Sequence, residues 1–304
     1  MFVSSIKLAI FKDPPQCIME LYTESNEVAK NFRKNIRQYN GALSLASKQI
    51  TGKMYQFPES SYGPPIFKMS GQMYHLMGPV LPELGEQPKF SQLYVYDRDH
   101  EVGNRMQTQK GQLSQNLMSK LQESLRKSNF YVQQFEHAAD VMQANPTQEL
   151  KLCFKSKGNM NVKKKHNLPE VTDVGILAPG DMAENRAIVL YCRQSQHPKQ
   201  NATTRINQLH EMYDPTAYVL LFPYGDSGYS IPAPLKFDGD TEGNKPISLL
   251  EFYKFHLMIR GISFNTIHRA GRLFQEYLCD MYSKIEGARP VSYTHLTLPT
   301  NREV

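Results

Sequence analysis

The stretch 110-KGQLSQNLMSKLQESLRKSNFYVQQFEHAADVMQANP-146 is decisive for the fold, because its apolar residues take on a helical period. Leucines recur at every fourth position from 113 to 125, which places them on one face of a helix. Ser128 and Asn129 are residues that favour a helix start, and the apolar spacing continues beyond them. Asn145 and Pro146 end the pattern, because the residue before proline avoids the helical conformation. The stretch therefore predicts two successive helices.

The leucine repeat allows two interpretations. A leucine at every fourth position is compatible with a dimerisation helix, but a coiled coil requires about three or four heptads of apolar positions. Four leucines are fewer than that. We therefore interpret them as the buried face of a helix in a globular core.

Strands are predicted on both sides of this stretch. The segment 66-IFKMSGQMYHLMG-78 alternates around Ser70 and Gly71, a turn pair, and predicts a hairpin. The segment 91-SQLYVYD-97 predicts a further strand. The β-branched and aromatic content of 186-RAIVLYC-192 predicts a buried one.

Further helices are predicted towards both ends of the chain. The segment 26–47 has a helical apolar stripe, with basic residues on the opposite face. The stripe consists of Val28, Phe32, Ile36, Tyr39 and Leu43, and the basic face of Lys30, Arg33, Lys34 and Arg37. The segments 246–261 and 265–286 predict a helical pair, and Asn265 is the expected cap of the second helix. Its expected buried residues are Ile267, Leu273, Phe274, Tyr277, Leu278, Met281 and Ile285.

Composition favours a globular chain. Of 304 residues 40% are hydrophobic and 11% aromatic, which is enough to bury a sizeable core. No run approaches the roughly 18 to 20 apolar residues of a membrane span, so we expect no membrane contact. The four cysteines lie far apart without a C-x-x-C pair, so neither a zinc knuckle nor a disulfide framework is expected.

The positive charge of the chain is unevenly distributed. The net charge is +6, and the segment 151-KLCFKSKGNMNVKKKHNLP-169 holds six lysines and no acidic residue. Such a cluster can follow a phosphate backbone, because each neutralised phosphate releases counterions. It can also be a solvated loop or a localisation signal, and charge alone favours that interpretation.

Several catalytic motifs are missing from the sequence. The one Gly-Lys pair, at 52 and 53, is followed by methionine, so there is no phosphate-binding P-loop. No two of the nine histidines stand two residues apart, as the metal site of a rolling-circle nickase requires. His210 beside Glu211 and Asp214 is interpreted as structural. Tyr277 and Tyr282 lie about 140° apart on a helix, so both could not serve one site.

Five separated segments resemble one family. They are 35-NIRQYNGALSLAS-47, 68-KMSGQMYHLMGPVLPELGEQPKFSQLYVYD-97, 206-INQLHEMYDPTAYVLLFPYGDSGY-229, 248-SLLEFYKFHLMIRG-261 and 270-AGRLFQEYLCDMYSKIE-286. In order and approximate spacing they resemble the large proteins of Helitrons, the eukaryotic rolling-circle DNA transposons. The resemblance runs from about residue 31 to residue 286, which is most of the chain.

The resemblance implies a parent protein that nicks, unwinds and rejoins DNA in the nucleus. In that family this stretch precedes a nuclease with paired histidines and catalytic tyrosines, and a helicase with P-loop motifs follows. ATP and magnesium are expected only for those parts. No position here matches their motifs, so we expect no catalytic, cofactor or metal residue and no enzymatic activity in this chain.

The family places the expected boundaries along the chain. We expect a tail over 1–26, an α+β accessory region over 27–150, a lysine-rich connector over 151–169 and, over 170–289, the truncated start of the Helitron helicase-like N-terminal domain. Residues 290–304, which contain VSYTHLTLPT, resemble a translated sequencing adapter. The predicted fold class is α+β with mixed hairpins and helices, ending in a helical pair, and the connector allows a division into two lobes.

Binding is the expected activity of such a fragment. We expect DNA, single-stranded or at the transposon end, to be held by Lys163, Lys164 and Lys165 with help from Arg269 and Arg272. The alternative is a scaffold that positions the missing nuclease and helicase domains without touching DNA. A third hypothesis, a nuclease that uses Tyr277 or Tyr282, predicts a covalent adduct with DNA, which we do not expect.

Overall fold

The computed structural model describes residues 8, 10–55, 66–82, 85–95, 101–108, 112–144, 151–154, 174–177, 188–191, 203–230, 247–259 and 264–288. Two predicted features lie outside these ranges: the connector beyond residue 154, with Lys163, Lys164 and Lys165, and the segment 290–304. Within the described ranges the fold is α+β, as predicted. None of the helices in these ranges is both long and apolar enough to cross a membrane.

The elements follow one another in this order. The helices are α1 (Gln16–Thr23), α2 (Glu27–Lys34), α3 (Ile36–Leu43), α4 (Glu101–Thr108), α5 (Gln115–Ser128), α6 (Phe130–Ala144), α7 (Tyr213–Ala217), α8 (Leu249–Leu257), α9 (Thr266–Arg269) and α10 (Arg272–Ala288). The strands are β1 (Ser47–Ile50), β2 (Met54–Tyr55), β3 (Lys68–Met69), β4 (Met73–Met77), β5 (Lys151–Phe154), β6 (Val174–Leu177), β7 (Ile188–Tyr191) and β8 (Thr204–Arg205).

The N-terminal helices differ from their prediction. Residues 16–23, expected in a tail, form α1, whose Ile18 is fully buried. The helix expected over 26–47 is divided at Asn35, whose φ of −108° and ψ of 19° are not helical. Val28 is 51% exposed, whereas the other four residues of the predicted stripe are buried. Asn26 caps α2 by accepting the Ala29 amide at 2.7 Å.

The predicted hairpin around residue 70 is wrong. β1 pairs with β4 and β2 with β3, both antiparallel, so two long arms face each other. Between these pairs the Thr51 amide donates to the Gln72 carbonyl at 2.9 Å and the Ser70 amide to the Lys53 carbonyl at 2.8 Å. The register therefore continues unbroken, and Ser70 and Gly71 lie within one arm. We call residues 47–55 and 68–77 the ribbon.

Glycine is needed in the ribbon for close approach of its arms. A Cβ on Gly52 would lie 2.3 Å from the Ser70 carbonyl oxygen, and Gly71 has a φ of +93°. The turn-like residues at 70 and 71 thus allow the backbones of the two paired arms to approach closely.

The predicted strand 91–97 is also wrong where the structure describes it. Residues 90–94 form a 3₁₀ turn. The Lys89 amide donates to the Gln92 side chain at 3.0 Å, and the Tyr94 hydroxyl donates to the Leu43 carbonyl at 2.8 Å. These bonds satisfy the turn without a neighbouring strand.

The decisive stretch forms the predicted helical pair. Ser114 caps α5, and the Asn129 side chain accepts the Val132 amide at 3.2 Å at the start of α6. The leucines at 117, 121 and 125 are buried. Buried apolar residues from α1 through β5, β7 and α10 then form one continuous core. The segment 186–192 supplies β7, as predicted, at one edge of the three-stranded sheet β6-β5-β7.

The C-terminal helices confirm the predicted pair. Ser248 and Glu251 form a capping box on α8, and Asn265 accepts the His268 amide at 3.1 Å. The second predicted helix is divided at Gly271, whose φ is +51°, into α9 and α10. Leu278 is 42% exposed rather than buried, Phe274 and Ile285 are partly buried, and the other predicted core residues are buried.

Candidate functional site

A polar stripe on α10 is the most unusual feature of the core. Glu276, Asp280 and Lys284 stand four residues apart and therefore lie on one face of the helix. Their exposures are 4%, 0% and 1%. Buried charges of this kind are costly unless they are paired and hydrogen-bonded. The elements packed against this face supply the partners.

Asp280 accepts three hydrogen bonds from the opposing elements. The Tyr218 hydroxyl donates to Oδ2 at 2.9 Å, and the Tyr213 hydroxyl to Oδ1 at 3.2 Å. His75 Nε2 lies 2.9 Å from Oδ2, and the His75 ring stacks on Tyr213 with centroids 3.7 Å apart. Both carboxylate oxygens are thus satisfied without water.

Both ring nitrogens of His75 have polar partners. Its Nδ1 lies 2.9 Å from the Tyr213 carbonyl oxygen and its Nε2 faces the Asp280 carboxylate, so both ring nitrogens face acceptors. Burial raises the pKa of Asp280, but the charge and hydrogen bond of His75, the Tyr218 hydroxyl and Lys284 outweigh it and hold that pKa below its ordinary value.

A second set of contacts surrounds Lys284. Its Nζ lies 3.3 Å from Asp214 Oδ1 and donates to the Tyr253 hydroxyl at 2.6 Å, and that hydroxyl donates to Asp214 Oδ2 at 2.9 Å. Burial lowers the pKa of Lys284, while the Asp214 carboxylate opposes the shift. Gly228 closes this region, since a Cβ there would lie 3.0 Å from Asp214 Oδ2.

Glu276 completes the stripe with two cations. Arg37 Nε donates to Oε2 at 2.5 Å, and the Lys48 ammonium pairs with Oε1. The guanidinium of Arg37 lies 4.8 Å from the Phe67 ring centroid, and the ammonium of Lys48 lies 4.5 Å from that of Tyr218. Burial raises the pKa of Glu276, but Lys48 and Arg37 outweigh it and hold the pKa below its ordinary value. Arg37 therefore lies on the inner side of its helix and not on the predicted basic outer face.

The tyrosines of this network are poor nucleophiles. Burial, followed by nearby carboxylates, raises the pKa values of Tyr218, Tyr253 and Tyr277 well above 10. A phenol with a raised pKa forms less of the phenolate that would attack a phosphodiester. Each of the three is also at most 1% exposed, so no substrate reaches it. Tyr282 lies outside the network and is 64% exposed.

All five segments that resemble the Helitron proteins contribute to this network. The contributions are Arg37 from 35–47, His75 from 68–97, Tyr213, Asp214 and Tyr218 from 206–229, Tyr253 from 248–261, and Glu276, Asp280 and Lys284 from 270–286. Segments far apart in the chain are therefore joined by buried polar contacts as well as by apolar packing.

A second buried ionic cluster lies around Glu101. Arg105 donates to its Oε1 at 3.0 Å, and Arg126 and Gln122 donate to its Oε2 at 2.5 Å and 2.7 Å. Arg105 also donates to the Ala42 carbonyl. Burial raises the pKa of Glu101 in spite of these two guanidinium groups. This cluster connects α4 and α5 to the end of α3.

The predicted DNA-binding residues are only partly described. Arg269 is exposed on α9, with its guanidinium 4.8 Å from the Phe264 ring centroid. Arg272, three residues on, begins α10 and is half-buried. Lys163, Lys164 and Lys165 lie outside the described ranges, so the proposed joint action of these lysines with the two arginines stays a prediction.

His210 agrees with its structural interpretation. Its Nδ1 accepts the Met212 amide at 3.2 Å, and burial lowers its pKa to about 4. Asp214 is held by Tyr253 and Lys284 instead. In the part of the chain that the structure describes, no three His, Cys, Asp or Glu side chains are arranged to hold a metal ion.

Sequence reasoning missed both clusters. A signal for the first was present, since three charged residues recur at spacings of four beside the apolar stripe of α10. The partners, from His75 to Tyr253, carry no such signal, because they come from elements that only the tertiary structure brings together.

Comparison with known proteins yields no relative: no family model and no curated protein matches the chain.

Proposed function

We propose that this chain is a non-catalytic, DNA-binding part of a Helitron-type rolling-circle transposon protein. It would act in the nucleus beside the nuclease and helicase of the same protein, and ATP and magnesium would serve those parts. The observation that carries the proposal is the shared network: each of the five segments that resemble the family places a polar side chain in it.

The network supports the proposal for a physical reason. A buried charge is retained only where every partner is present, because loss of one partner leaves an uncompensated charge. A chain that contains one of these buried charges therefore needs all the segments that supply its partners. These contacts give a physical reason for the five segments to occur together, which supports a resemblance spread over all of them.

DNA binding is supported by charge. The chain carries a net charge of +6, and Arg269 is exposed. Cations that neutralise phosphates release condensed counterions, so such binding weakens steeply with salt. The buried carboxylates described above are matched internally by His75, Lys284 and other cations, so they do not offset the positive surface.

The test is fluorescence anisotropy of a labelled single-stranded oligonucleotide at several salt concentrations. The unsubstituted chain should bind, and the variant Lys163→Glu, Lys164→Glu, Lys165→Glu should bind more weakly. If all three lysines contact phosphates, the slope of log affinity against log salt becomes shallower by about 2. A matched variant with three exposed lysines on helices replaced, Lys34→Glu, Lys120→Glu and Lys254→Glu, controls for net charge.

Two results would count against the proposal at different levels. Unchanged affinity and salt slope in the 163–165 variant would remove that cluster from the DNA interface. Failure of the unsubstituted chain to bind single-stranded or duplex oligonucleotides would contradict DNA binding as a whole and leave the scaffold alternative.

The scaffold alternative is favoured by one observation. Leu278 and Tyr282 lie four residues apart on the outer face of α10 and are 42% and 64% exposed. Such a pair suits a protein partner, here the nuclease part of the parent protein. Replacing both by glutamate should abolish binding to that part if the scaffold role is correct, with DNA binding unaffected.

A nuclease role for Tyr277 or Tyr282 is not proposed. It predicts an oligonucleotide covalently joined to the protein in the presence of a divalent metal. We expect no such adduct on a denaturing gel, and an adduct lost in Tyr282→Phe would overturn the non-catalytic assignment.

A further inference from the structure

The two faces of the ribbon differ in chemistry. Residues that are directly opposite in an antiparallel pair share a face, and along β4 Met73, His75 and Met77 point into the core. Tyr74 and its partner Gln49 therefore lie on the outer face. In the second pair of strands Met54 contacts Arg37, which pairs with Glu276 on the inner side, so the neighbouring Tyr55 and its partner Lys68 also lie on the outer face. The outer face comprises Ser47, Gln49, Tyr55, Lys68, Tyr74, Leu76 and, opposite Leu76, Arg205, and Lys53 is exposed between its two ends.

Two cation–aromatic pairs mark this outer face. Lys68 stands opposite Tyr55, and its ammonium lies 5.1 Å from the Tyr55 ring centroid. Arg205 on the neighbouring strand β8 has its guanidinium 4.7 Å from the Tyr74 ring centroid. Six residues of strand separate Tyr55 from the position opposite Tyr74, so the pairs lie about 20 Å apart.

Among the residues that the structure describes, the outer face carries positive charge without a neutralising carboxylate. No acidic residue occurs in 47–55, 66–77 or 203–209. On the inner face Lys48 is paired with Glu276. By contrast, Lys53, Lys68 and Arg205 form no ion pair with any described residue. The exposed cations of the ribbon thus lack the carboxylate that the buried one has.

We infer that the outer face of the ribbon binds single-stranded nucleic acid. Lys53, Lys68 and Arg205 contact phosphates, and Tyr55 and Tyr74 stack on bases. This inference rests on the proposed DNA-binding function and assigns it to a surface other than 163–165. Aromatic side chains along a positive track are the recurring means of binding single strands, because every base has a face on which a ring can stack.

The rings favour nucleic acid over an acidic protein segment. An acidic peptide needs the cations and gains little from a tyrosine ring. Tyr55 is 43% exposed beside Lys68, so one ring contacts both a cation and solvent. A base can occupy the open side of that ring while its phosphate meets the ammonium.

The experiment uses the full chain and labelled oligo-dT, with oligo-rU to separate DNA from RNA. The variant Lys53→Gln, Lys68→Gln, Arg205→Gln should bind more weakly, with a salt slope shallower by about 2. Tyr55→Ala should weaken binding about tenfold, whereas Tyr55→Phe keeps the ring and should bind normally. Circular dichroism checks that each variant is folded.

A charge-matched control separates the surface from net charge. Lys34→Gln, Lys120→Gln and Lys254→Gln remove the same three charges from exposed positions on α2, α5 and α8. If this control weakens binding as much as the ribbon variant, the inference is overturned while DNA binding stands. Normal binding by Tyr55→Ala, or equal competition by poly-glutamate, would also overturn it. If the unsubstituted chain binds neither oligonucleotide, the proposed function fails and the inference fails with it.

Discussion

The buried charges around Asp280 and those around Glu101 differ in how far apart their partners lie in the chain. Asp280 bonds to residues 62, 67 and 205 positions away. The side-chain partners of Glu101 are 4, 21 and 25 positions away, on its own helix and the next. Closing a longer loop costs more chain entropy, so the Asp280 network forms only with the whole fold. Two adjacent helices are enough to assemble most of the Glu101 cluster.

The largest effect is expected from Asp280→Asn. The amide removes the buried negative charge and places an NH₂ donor where one carboxylate oxygen accepts a hydrogen bond from Tyr213 or Tyr218. We expect the free energy of unfolding in urea to fall by about 3–5 kcal/mol. Glu123→Gln, in an exposed pair with Lys127, is the control and should be unchanged. A loss in Asp280→Asn no larger than that of an average core substitution would contradict the network's importance.

The next effect concerns Asp214 and Lys284. Either Lys284→Met or Asp214→Asn alone leaves a buried charge with one fewer partner, so each should cost about 3 kcal/mol. The double variant removes both charges, so its loss should be smaller than the sum of the single losses by about 1–3 kcal/mol. Strict additivity in this double-mutant cycle would show that the 3.3 Å pair is not coupled.

The Asp280 network and the Glu101 cluster should contribute with opposite sign to the loss of folding stability in acid. The folded-state pKa values of Glu276 and Asp280 are lowered, so their stabilisation is present above their ordinary values and is lost as the pH falls through the lowered ones. The pKa of Glu101 is raised, so the folded state binds its proton more readily and Glu101 opposes the acid loss. Between about pH 3 and pH 7 the urea midpoint should therefore depend less on pH in Glu276→Gln than in the unsubstituted chain. In Glu101→Gln the urea midpoint should depend more on pH than in the unsubstituted chain. If the pH dependence changes in the same direction in both variants, the two clusters do not differ in this way.

The smallest effect is expected from Arg37→Gln. Glu276 keeps Lys48 as a counter-ion, and the Arg37 side chain is 34% exposed. We expect a loss of about 1 kcal/mol or less in thermal unfolding. Arg37→Lys, which keeps the charge, is the matched control. A loss as large as that of Asp280→Asn would mean that Arg37, and not Lys48, holds the buried carboxylate.

Most of the helices were predicted, whereas the strand expected over 91–97, the helix at residues 16–23 and the strand pairing were not predicted correctly. The predicted caps at Asn129 and Asn265 were confirmed, because each side chain bonds to an amide three residues away, whereas the cap at Ser248 was not predicted. The pair at 70 and 71 was misinterpreted as a hairpin turn. A glycine with positive φ is suited both to such a turn and to a close approach of two paired strands. Strand pairing depends on residues far away, which a local pattern does not contain.

The amino-acid sequence by itself determined the α+β class, most of the helices and their caps, since these depend on periodicity and on contacts within a few residues. It also carries the predicted resemblance on which the proposed function rests. Only the tertiary structure decided that His75, Asp214 and Tyr253 meet the stripe of α10, and that the ribbon has an acid-free outer face. The reason is physical: a charge or a tyrosine in a sequence has no assigned partner until folding fixes which groups lose water together.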